Sequence, residues 1–119
     1  MARIMIVSDN EMMRRYLGLK LMRAGHSITR VAERGVAMTI LNECEQDILI
    51  TSVSSSDVAG ITFAHDARAL DDQMQVIFLA GFSMIPLIAE EDEGAIARLG
   101  APQHINTLVS EVGRLTKAA

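Results

Sequence analysis

The sequence predicts an α/β fold, built as a doubly wound, five-stranded parallel sheet with helices on both faces. Three observations point there. Ile4 to Val7, Ile48 to Ile50 and Val76 to Leu79 are short, continuous apolar runs, the pattern of strands buried on both faces. The stretches between them carry apolar residues at helical spacing. Strand and helix patterns alternate five times along 119 residues, a length that suits one domain, 1–119, with a real core.

The elements follow in order. After the first strand, Ser8, Asp9 and Asn10 form a turn and cap, with the Asp9 carboxylate placed to cap the first helix. That helix is expected from about Glu11 to Ala24. Met13, Leu17 and Leu21 recur at i, i+4 and i+8, and Gly25 is a natural stop. Ser27 to Ala32 alternates Ile28 and Val31 with polar neighbours and reads as the second strand. Gly35 leads into a second helix with Val36, Ile40, Leu41 and Cys44 on one face, which makes Cys44 a core residue. The third strand, Ile48 to Ile50, runs into a small-residue loop, and a helix is expected from about Gly60 to Leu70 with Ile61, Ala64 and Ala67 or Arg68 on alternate turns.

Asp71 and Asp72 break the pattern before Val76 to Leu79, the clearest strand in the chain. Pro86 suits the first turn of a helix, so a short fourth helix is expected from about Pro86 to Asp92. Carboxylates at its C-terminal end oppose the helix dipole. Ala95 to Leu99 reads as the fifth strand, and Gly100, Ala101 and Pro102 as a turn. Ile105 to Lys117 is an amphipathic helix whose apolar positions are Ile105, Leu108, Val109, Val112 and Leu115.

Composition narrows the function classes. With three Phe, one Tyr and no Trp, the core must be aliphatic, filled in part by eight Met. A net charge of −4 argues against nucleic-acid binding by bulk electrostatics. Basic residues gather early (Arg14, Arg15, Lys20, Arg23, Arg30) and Glu90 to Glu93 is acidic, a split that suits a protein partner. Cys44 stands alone, so no disulfide framework is expected, in keeping with a reducing cytoplasm. The apolar run near the N-terminus is too short for a signal peptide or a membrane span. His26, His65 and His104 lack metal-ligand spacing and read as surface residues. Met12 and Met13 are adjacent, so they cannot share a helix face, and one of them is expected outside.

In an open α/β sheet, chemistry sits beyond the carboxyl ends of the strands. Thr51 to Ser56 is the loop so placed. It offers Ser52, Ser54, Ser55 and Ser56, and no carboxylate until Asp57.

The alternation and these landmarks resemble the CheY-like receiver domain of two-component signalling, over essentially the whole chain. The resemblance implies a flavodoxin-like strand order, 2-1-3-4-5. In that family two acidic residues after the first strand help hold Mg²⁺; the pair here is Ser8 and Asp9. The third strand ends in the phosphoacceptor Asp, which Ser52 replaces, and the metal-binding backbone carbonyl two residues on falls on Ser54. The family's Pro-x-x-Gly loop matches the stretch from Ser56 to Gly60. The Thr or Ser that ends the fourth strand is Ala80, and the Lys-Pro after the fifth is Ala101 and Pro102. Arg98 stands where the family's switch aromatic lies.

Four of the five chemical positions therefore differ. Transfer to a carboxylate needs the carboxylate, a divalent cation and donors for the phosphoryl oxygens. Ser52 has no neighbouring base, and Asp9 alone is a weak Mg²⁺ ligand set. The resemblance implies a non-enzymatic pseudo-receiver without catalytic residues or cofactor, working through protein contacts. Arg98, Pro102 and Ile105 are the expected interaction face. The segments Val76–Leu87 and Ile105–Leu115 resemble CpdR-type single-domain regulators, adaptors that prime the ClpX unfoldase. The resemblance thus suggests cell-cycle or regulated-proteolysis control, with ClpX-type machinery or a histidine-kinase pathway component as partner. A homodimer through the fourth and fifth helices and the strand between them is a further expectation. The alternative is a residual phosphotransfer receiver with weak Mg²⁺ binding that uses Asp9 or Asp57 as acceptor.

Overall fold

A computed structural model describes residues 1–54, 56–88, 98–99 and 102–117. The elements are β1 (Arg3–Val7), α1 (Glu11–Arg23), β2 (Ser27–Val31), α2 (Arg34–Glu43), β3 (Ile48–Ser52), α3 (Val58–Leu70) and β4 (Gln75–Ala80). Then come β5 (Ser83–Ile88), β6 (Arg98–Leu99), β7 (Gln103–His104), a 3₁₀ turn over Ile105–Thr107, and α4 (Leu108–Lys117). The strand order is β2-β1-β3-β4-β5-β6, with β7 also paired to β5. The CheY-like order 2-1-3-4-5 and the winding of helices over both faces are as expected.

Strand periodicity explains the winding. Ile4, Ile6, Ile48, Ile50, Ile77 and Leu79 face one side and pack on Leu17 and Leu21 of α1 and Leu108 and Val112 of α4. Met5, Val7, Leu49, Val76 and Phe78 face the other, against Ala37 of α2 and Phe63, Ala64 and Ala67 of α3. Side chains alternate across a strand, so an unbroken apolar run needs a cover on each face.

Two expectations about the sheet are corrected. It is mixed: β1 to β4 run parallel, but β5 is antiparallel to β4, with Ala80 opposite Ser83 and Val76 opposite Leu87. The segment expected to begin the fourth helix is that strand; residues 89–92 of the expected helix lie outside the described residues. The cause is local. Gly81 has φ +62°, as the first central residue of a two-residue II′ hairpin turn does, and Phe82 completes the turn. Beyond it Met84 packs into one core and Leu87 into the other, so the stretch alternates as a strand. Pro86 sits within β5 rather than opening a helix. Of the expected fifth strand, Arg98–Leu99 is β6 and pairs antiparallel with β5, while 95–97 lie outside the described residues.

Smaller corrections follow from helix phase. The buried position of α2 is Ala37, flanked by the partly buried Met38, Ile40 and Leu41, while Val36 and Cys44 are exposed. On α3 Phe63 is inward and Ile61 outward, and on α4 Val109 is outward. His26 is half-buried, and its Nδ1 accepts the Ala2 N–H at 3.0 Å. Burial lowers its pKa. Among the described residues, no helix is long and apolar enough to cross a membrane.

Thr51 is fully buried in β3, and its hydroxyl has no hydrogen-bond partner among the described residues. A buried, unpaired polar group costs about 1–3 kcal/mol of desolvation. Thr51→Val is therefore expected to raise the unfolding free energy by about 1 kcal/mol, measured by urea unfolding; an unchanged or lower midpoint would show that the hydroxyl is satisfied.

Candidate functional site

At the carboxyl ends of β1 and β3 the chain leaves the sheet and opens a cleft of about 590 Å³. Its lining includes Ser8, Asp9, Glu33, Arg34, Ser52, Ser54 and Asp57. The topology thus brings Ser8, Asp9, Ser52 and Ser54 together, as the sequence reading placed them.

Ser8 is buried and tied into the start of α1: its hydroxyl accepts the Asn10 N–H at 3.2 Å, and its carbonyl accepts from Arg14 Nη1 at 2.6 Å. The cap of α1 is Asn10, whose Oδ1 accepts the Met13 N–H at 3.0 Å. Asp9 is exposed and does not cap the helix, a correction that follows from Asn10 being the last non-helical residue. Ser52 is half-buried at the end of β3, and Ser54 is exposed with its carbonyl accepting the Asp57 N–H at 3.2 Å. Ala80 ends β4, and Ala101 lies outside the described residues.

Of the expected interaction face, Pro102 is exposed and Arg98 belongs to β6. Ile105 is buried and leaves that face. Its side chain opens the apolar series that α4 presents to the sheet, and its N–H donates to the Phe82 carbonyl at 2.8 Å.

The sequence reading missed Arg34. Arg34 Nη1 donates to Asp57 Oδ1 at 3.2 Å, Nη2 forms an ion pair with Asp57 Oδ2, and Nη2 also donates to the Ser52 carbonyl at 3.2 Å. Asp57 is the N-cap of α3, its Oδ1 accepting the Gly60 N–H at 2.8 Å. The Arg34 guanidinium, followed by the Gly60 N–H, holds the Asp57 carboxyl below its ordinary pKa. Gly60 is constrained by the same pair: a Cβ there would lie 2.7 Å from both the guanidinium and the carboxylate. One local signal pointed to Arg34. A cation in the first turn of a helix opposes the dipole, so it calls for a carboxylate partner.

This donor set does not suit a divalent cation. Mg²⁺ asks for carboxylates in near-octahedral geometry. The cleft offers the Asp9 carboxylate beside an Asp57 already held by Arg34, with Ser8 and Ser52 where the resemblance expects acids. Among the described residues, no group of three His, Cys, Asp or Glu could hold a metal ion.

A second feature lies on the outer face of α1. Met12, Tyr16, Leu19 and Met22 are 78, 43, 45 and 52 % exposed and form one outward stripe. Lys20 Nζ lies 5.2 Å from the centre of the Tyr16 ring, and the exposed Arg15 and Arg23 border the stripe.

A doubly wound sheet with this order, and its cleft at the ends of β1 and β3, defines a receiver-like module. The chain is 30 % identical over 120 residues to the response regulator receiver protein CpdR of Brucella abortus, covering the whole of both. It therefore belongs to the response regulator receiver family of two-component signalling. No family model matches the chain. Its structure is similar to the receiver domain of the hybrid histidine kinase CckA (TM-score 0.63, 28 % identity, 95 % of this chain and 97 % of that one). The likeness to a chain of the complex between histidine kinase ThkA and response regulator TrrA (TM-score 0.69, 19 % identity, 97 % and 98 % covered) is one of fold.

The depressed Asp57 pKa has a defined consequence. A carboxylate with a lowered folded-state pKa contributes stability that is fully present above its unfolded value and is lost as pH falls through the folded value. Asp57→Asn is thus expected to be less stable than the wild type at neutral pH, with the difference shrinking below about pH 4. Thermal unfolding across that range checks it; parallel acid limbs would mean that the pair contributes nothing.

Proposed function

We propose that this chain is a pseudo-receiver, a receiver that signals through protein contacts without being phosphorylated. One observation carries the reading: the residue at the end of β3 is Ser52, and Asp57, one of the two alternative carboxylates, is committed to Arg34 and the α3 cap. Ser8 in place of a second acid and Ala80 in place of a hydroxyl support it, as does Ala101 in place of an ammonium. A chain that needs no phosphoryl group acts as an adaptor in one standing conformation. Its expected partners are ClpX-type protease machinery or a component of a histidine-kinase pathway; the resemblance to CpdR supports the first and the ThkA–TrrA complex the second. The apolar stripe on α1, edged by Arg15, Lys20 and Arg23, suits a partner surface that is apolar and acidic. Pro102 and Arg98 remain expected contacts at the β6–β7 end.

Incubation with acetyl phosphate and Mg²⁺, followed by mass mapping, tests the reading. No covalent adduct is expected; a stable acyl phosphate on Asp9 or Asp57 would falsify it and establish the phosphotransfer alternative. The single variant Ser52→Asp is also expected to stay unlabelled, because Ala80 and Ala101 leave the phosphoryl oxygens without donors. Efficient labelling of that variant would show that the acceptor alone was missing.

A further inference from the structure

Arg34 is unfavourable where it stands on local grounds. It is the first residue of α2, there is no acidic residue in that first turn, and a cation there opposes the helix dipole. Yet its side chain is only 33 % exposed, and it bonds to Asp57 and to the Ser52 carbonyl at the cleft rim. Three segments meet on this one guanidinium: the start of α2, the Ser52 carbonyl at the end of β3, and Asp57 at the start of α3. Gly60 leaves the space in which they meet. A carboxylate and a main-chain carbonyl converging on a positive charge are oxygen ligands of the type that a hard divalent cation takes. A guanidinium satisfies them as a fork, with charge fixed at any accessible pH.

We propose that Arg34 is the resident cation of the cleft, satisfying Asp57 and the Ser52 carbonyl in place of a metal ion and keeping divalent cations out. This rests on the reading of the chain as phosphorylation-independent and deepens it. Exclusion of metal becomes the work of a specific ion pair, in addition to the acids missing at Ser8 and Ser52. Because the cation is part of the chain, the rim is held in one arrangement whatever the concentration of divalent ions.

Amide NMR with Mn²⁺ as a paramagnetic probe tests this. In the wild type, the amides around Asp9, Ser52 and Asp57 are expected to show no selective broadening. In Arg34→Gln they are expected to broaden selectively and saturably, and to recover with excess Mg²⁺. Arg34→Lys, which keeps the charge, is expected to exclude Mn²⁺ as the wild type does. Three results each overturn the proposal: selective broadening in the wild type, selective broadening in the Lys variant, or none in a folded Gln variant. The first two stand whatever the stability of the Gln variant. None of them bears on phosphorylation, which the acetyl phosphate experiment decides separately.

Discussion

Burial of β1 and β3 on both faces is the constraint on which the rest of the structure depends. Each strand is flanked by other strands and sends alternate side chains into two separate cores. Neither core can be left to water, so α1 and α4 must cover one face and α2 and α3 the other. Parallel neighbours also need a crossover for every strand, which places the helix starts at the carboxyl edge of the sheet. The cleft is where those starts gather. Its position follows from the sheet, whatever residues line it.

This explains why the fold was largely legible and the site only partly so. Ile4 to Val7, Ile48 to Ile50 and Val76 to Leu79 declare themselves as two-sided strands, and the stripes at Leu17 and Leu21 and at Leu108 and Val112 declare their helices. The error at Ser83–Ile88 has a physical source. Pro86 has the residue type of a helix start, but Gly81, with its positive φ, sets a hairpin ahead of it. The chemistry of the turn outranked the proline. Helix phase caused the slips at Val36, Ile61 and Val109, which turn outward while Ala37, Phe63 and Leu108 turn in; Cys44 lies just past the end of α2, where the backbone is already extended.

At the site, Ser8, Asp9, Ser52 and Ser54 were legible because each ends a strand or lies within two residues of its end. Arg34 was not, because it meets Asp57 across 23 residues, beyond any local spacing rule. Spacing rules find partners on one helix or one turn; they do not find two helix starts that lean together over a third element. The result is a cleft whose charges are largely internal to the chain. Asp57 caps α3 through the Gly60 N–H and pairs with Arg34, so two roles fall on one carboxylate.

The β4–β5 hairpin has a consequence for how the chain assembles. The pairings of β1 with β3 and of β3 with β4 must each close a long crossover, at a cost in chain entropy that long-range contacts repay late. Gly81 and Phe82 join β4 to β5 with almost no loop to close, and a hairpin of this kind forms within about 1–10 μs. The C-terminal half therefore carries its own local nucleus. β4 can arrive at β3 already paired along its outer edge, which protects the most apolar strand of the chain from pairing with a neighbouring molecule while the N-terminal crossovers are still open.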